Sequence, residues 1–125
     1  MNKRKMIMMA AAAAFGVFAF ASCKKDKASS HKVQFKAEAS AGSNISMAGY
    51  GIDGDATTAT SLSGTTWTSP EITAPAGSMS ANVAVNADGA DASSTLKVQI
   101  YVDGKMVKEG TSSGQYLSAS AGYQF

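Results

Sequence analysis

The chain has 125 residues, 45% of them apolar, with eleven basic and nine acidic side chains, one histidine and one cysteine. The small positive surplus is not a nucleic-acid signature: Lys3, Arg4, Lys5, Lys24, Lys25, Lys27, Lys32 and Lys36 all precede residue 37, whereas beyond it Lys97, Lys105 and Lys108 face eight carboxylates. One cysteine rules out an internal disulfide, and with a single histidine the chain lacks the ligands of an ordinary zinc site.

The first predicted element is an address. Lys3–Lys5 is basic, Met6–Ala21 carries no charge, and small residues lead to a junction, the layout of an export signal peptide. The apolar run is shorter than the roughly 20 residues of a spanning helix. Its end, Phe20-Ala21-Ser22-Cys23, resembles a lipobox, in which the bond between Ser22 and Cys23 is cut and the cysteine thiol receives a covalent, palmitate-type lipid. Serine before the cysteine is similar to lipoproteins of the Bacteroidetes. An uncleaved anchor is the competing reading. Residues 1–22 are therefore read as signal peptide, and 23–31 as lipidated cysteine plus flexible basic tether. Lys24 stands where aspartate marks inner-membrane retention in enterobacteria, so the resemblance implies the outer membrane.

The remaining 32–125 suffice for one small domain. Strict alternation predicts strands over Lys32–Glu38, Ser78–Asn86 and Thr95–Val102, the second placing Met79, Ala81, Val83 and Val85 on one face. Weaker strand patterns cover Asn44–Tyr50, Ala56–Leu62, Thr65–Ile72, Lys105–Gly110 and Gln115–Phe125. Asp103-Gly104 predicts a type I′ hairpin turn, with Val102 opposite Lys105, Tyr101 opposite Met106 and Ile100 opposite Val107. The expected fold is all-β: a small antiparallel, immunoglobulin-like sandwich of seven to eight strands. The ending "AGYQF" resembles outer-membrane barrel termini, but eight membrane strands of 9–11 residues would use almost the whole domain. Tyr123 and Phe125 are instead expected to cap the sandwich core.

The stretch "TLKVQIYVDGKMVKEGTSSGQYLSASAG", with Trp67 upstream and the opening "VQFKAEAS", resembles the extracytoplasmic domain of the MmpS family. Those small membrane-anchored β-sandwiches accompany large RND-type exporters. The resemblance implies the same fold and an accessory role beside such a transporter. Two departures stand out. The family has a membrane helix where this chain has a lipobox, and Val98 and Ala121 occupy the places of a cysteine pair found in many members.

Catalytic motifs are poorly supported. "GTSSG", Gly110–Gly114, matches the nucleophile elbow, yet a catalytic Ser112 needs a following helix and a histidine, and His31 is expected in the tether. "GYGIDG", Gly49–Gly54, matches a dinucleotide fingerprint but leads into β-branched residues rather than a helix. Asp53 and Asp55 in one loop and Asp88 and Asp91 in another would make a calcium site if they converged, although neither carries a full ligand series. Trp67, Tyr50, Tyr101, Tyr116 and Tyr123 are candidate platform residues. Trp67 reads better as core, while Tyr101 falls on the polar side of its strand.

The expected function is thus a lipid-anchored, non-enzymatic interaction module of the cell envelope, without cofactor, metal or nucleic acid. Tyr101, Asp103 and Gly104 are the candidate contact residues, and an RND-type exporter or other envelope protein is the candidate partner. A stand-alone binding module for a glycan or hydrophobic small molecule is the alternative.

Overall fold

A computed structural model describes residues 29–125; the expected signal peptide, Cys23 and most of the expected tether lie outside the described residues. Nine strands follow in order: β1 His31–Ala39, β2 Asn44–Ile52, β3 Asp55–Ala59, β4 Thr66–Thr68, β5 Ile72–Ala74, β6 Ser80–Asp88, β7 Thr95–Val102, β8 Lys105–Ser113 and β9 Tyr116–Gln124. They form two antiparallel sheets. The first runs β4–β1–β7–β8, with β5 continuing the β4 edge along β1, and the second runs β3–β2–β6–β9. No helix among the described residues is long and apolar enough to cross a membrane.

Alternation is what makes these strands. β1 buries Val33, Phe35 and Ala37, β6 buries Ala81, Val83, Val85 and Ala87, and β7 buries Leu96, Val98, Ile100 and Val102. Ile45, Ala48 and Tyr50 of β2 and Leu117 and Ala119 of β9 flank β6 and complete the inner face of the second sheet, opposite β1 and β7. Phe35, Tyr50 and Trp67 form an aromatic chain between the sheets, with ring centroids 5.4 Å apart at each step. Trp67 packs half-buried against that core.

The sandwich is drawn together along both sides. Segment 60–65 leaves the second sheet by accepting the Ile45 amide at Gly64 O (2.8 Å), then meets the first, where Ala39 N donates to Thr65 O (2.7 Å). On the opposite side β9 lies against β8. A Cβ at Gly110 would collide with the Ser120 carbonyl, so only glycine permits that approach.

Several expectations need correction. The strands number nine, because the predicted Thr65–Ile72 strand breaks at Ser69-Pro70, where proline has no amide for the ladder. Ser69 repairs the gap: its Oγ accepts from Phe35 N (2.9 Å) and donates to Pro70 O (2.8 Å). The hairpin turn forms with positive φ at Asp103 (52°) and at Gly104 (84°), and Val102 and Tyr101 pair with Lys105 and Met106 as expected. A bulge then shifts the register so that Ile100 opposes Lys108, not Val107. Met79 points to solvent rather than inward, since β6 starts only at Ser80. His31 belongs to β1, not to the tether. Phe125 lies beyond β9, stacked on His31, and only Tyr123 packs against the core.

Candidate functional site

The outer face of the second sheet carries a trough of about 650 Å³. Strand register creates it. One cross-strand row reads Ala56, Gly51, Asn82, Gly122, and the next reads Thr58, Gly49, Ala84, Ser120. Their inward neighbours, Tyr50, Val83 and Ala121, belong to the core side of the same strands. The outward positions are therefore mostly small where three neighbouring strands meet, although the Asp55 carbonyl covers Gly51 and the Asn82 side chain covers Gly122. Space above Gly49 is open, since a Cβ there would meet nothing within 4 Å.

The trough has charged rims. Asp55 stands on the β3 side, while Lys108 and Glu109 of β8 line the other. These two reach it because Gly110 lets β9 settle against β8, bringing residues of the first sheet beside the outer face of the second. Asn82 supplies a polar group on the floor and lies across Gly122, whose missing Cβ would otherwise meet Asn82 Oδ1 at 2.8 Å. A polar recess lined by Ser80, Lys108, Tyr123 and Gln124 shares Asn82 and Gly122 with the trough.

The three contact residues expected from sequence, Tyr101, Asp103 and Gly104, lie elsewhere. Tyr101 is half-buried on the outer face of the first sheet, with Lys36 Nζ 4.6 Å from its ring centroid. Asp103 is engaged within the fold: Oδ2 accepts from His31 Nδ1 at 2.7 Å and Oδ1 from Lys32 N at 2.9 Å. Those bonds, His31 foremost, hold its carboxyl below the usual carboxylate value. Gly104 completes the turn that aims Asp103 at β1. The three residues thus share one hairpin, but its tip is tied to the N-terminal strand.

The two acidic loops do not converge. β2 and β6 are antiparallel, with Ile52 opposite Ala81 and Asn44 opposite Asp88, so Asp53 and Asp55 lie at one end and Asp88 and Asp91 at the other. Asp53 Oδ1 accepts the Met79 and Ser80 amides (2.8 and 2.9 Å). Asp91 Oδ1 accepts Ser93 N and Oγ (2.9 and 2.8 Å), which lowers its pKa. Among the described residues no three metal-ligating side chains gather. Ser112 sits in β8, not on a strand-to-helix turn, and its Oγ accepts from Ser118 N. His31 is at the far end of the strands from it, since Ser112 opposes Leu96 and Leu96 opposes Ala39. The "GYGIDG" segment runs from β2 through a tight turn into β3. No protein-family model and no curated protein matches the chain.

Proposed function

We propose that the protein is a lipid-anchored, non-catalytic interaction module of the cell envelope, held by Cys23 at the outer membrane, and that the trough of the second sheet is its contact surface. The trough is the observation that carries this reading. Its volume falls within the roughly 300–1,000 Å³ typical of binding sites. Its glycine and alanine floor allows a partner backbone to approach closely, with Asn82, Lys108, Glu109 and Asp55 positioned to bond it. A sugar would want an aromatic ring to stack on, and the rows forming the floor contain none. An extended segment of an envelope protein fits better, an RND-type exporter being the partner class that the MmpS resemblance implies.

A photo-crosslinking residue in place of Lys108, in the membrane-attached protein in cells, tests this. The expected result is a discrete protein adduct that disappears when Gly49→Trp fills the trough. A Cβ at Gly49 would meet nothing within 4 Å, so the new side chain starts into the open trough. An adduct indifferent to Gly49→Trp would remove the trough from the mechanism. A glycan or small-molecule adduct without protein would replace the partner with a ligand.

A further inference from the structure

The end of the sandwich at which the chain enters carries exposed apolar side chains. Met79 is 75% exposed, Met106 45% and Phe125 36%. Contacts gather them: Phe125 N donates to Met79 O at 2.9 Å, and the Phe125 ring stacks on His31 with centroids 5.2 Å apart. His31 in turn holds Asp103, three residues before Met106. A lone exposed methionine or phenylalanine would mean nothing. Here three share one end with two cations, Lys32 beside His31 and Lys105 beside Gly104.

Of the carboxylates at this end, Asp53 and Asp103 are occupied by backbone amides and by His31, while Asp55 opens β3 and lines the trough of the second sheet. The opposite end presents Asp88 and Asp91 beside the exposed ring of Tyr116. The chain before His31 adds Lys24, Lys25 and Lys27. Seven residues lie between Cys23 and His31, so even fully extended they hold the start of β1 within roughly 28 Å of Cys23.

We propose that this end is a membrane-apposed surface, with Met79, Met106 and Phe125 seated in the headgroup layer and Lys32 and Lys105 against anionic lipid phosphates. The occupant is a lipid surface because the chain leading to the anchor enters beside these side chains, and because cations and apolar groups together fit the bilayer interface. This rests on the membrane-anchored reading, and it holds whether the anchor is acyl lipid on Cys23 or the apolar run itself.

The test uses the full-length membrane-attached protein in vesicles of phosphatidylethanolamine and phosphatidylglycerol. A nitroxide is attached at Met79→Cys, at Met106→Cys or, as the distant control, at Tyr116→Cys, all solvent-exposed positions. Collision with a water-soluble nickel chelate and with oxygen is then read by electron paramagnetic resonance. The expected result is a several-fold loss of nickel accessibility at 79 and 106 relative to 116, with a gain in oxygen accessibility. Vesicle-bound protein with equal accessibility at all three positions would overturn the apposition alone. Protein that fails to float with the vesicles would overturn the anchorage and the apposition with it.

Discussion

Asp103 shows how much one side chain can organise. It adopts a left-handed backbone conformation at the hairpin tip, and from there its carboxylate reaches both the His31 ring and the Lys32 amide. Because these partners lower its folded-state pKa, its contribution to stability is present above the unfolded value of about 3.9 and is lost as pH falls through the folded value. Asp103→Asn keeps the shape and tolerates the same backbone angle, but it loses the charge. The variant is expected to be less stable than the parent at pH 7 and to converge with it toward pH 2, as read from urea midpoints across that range. A gap that stays constant with pH would show that the carboxylate's charge is immaterial. Ser69 works on the same scale, completing with one hydroxyl a ladder that proline interrupts.

Among the elements, the β8–β9 contact is the most constrained. Gly110→Ala would place a methyl against the Ser120 carbonyl, forcing two strands of different sheets apart. The expected cost is about 1–3 kcal/mol in denaturant unfolding, the usual range for overpacking. Gly49→Ala, over open space, is expected to stay within about 0.5 kcal/mol of the parent. Equal stabilities would refute the close approach. The strands legible in the sequence were those that alternate without interruption, β1, β6 and β7. β2 hides its pattern because a bulge between Ile45 and Met47 puts Ile45 and Ala48 on the same side, three residues apart. β8 hides its register behind a second bulge. The Asp103-Gly104 turn was readable because its backbone angles demand those residues. The trough was not. Gly49, Gly51, Asn82, Ala84, Ser120 and Gly122 form a surface only once three strands are aligned side by side, and no local pattern announces that alignment.

At the scale of the whole molecule, the proposed anchoring rests on Cys23 and the residues around it, which precede the sandwich. Cys23→Ala is expected to release the protein into the soluble fraction or to leave it unprocessed, as seen by fractionation and by the mass of the mature chain. Unchanged processing with unchanged membrane attachment would refute lipidation at Cys23. The sandwich itself has a direction: β1 begins at the end holding Met79 and Phe125, and the acidic loop of Asp88 and Asp91 lies at the other. The proposed accessory role stands or falls with the partner captured at the trough.

The position of β1 bears on how such a molecule would carry a load. Any pull through the tether arrives at His31 and runs along β1, which lies inside the first sheet. On one side Val33–Ala39 pair with β7, and on the other β4 and β5 take up Lys36–Glu38 and His31–Val33. Ladder hydrogen bonds stand perpendicular to the strand. A lengthwise force therefore shears both rows together instead of opening them one bond at a time. A domain gripped by its trough and tugged by its anchor would resist as a rivet does, across its whole shank.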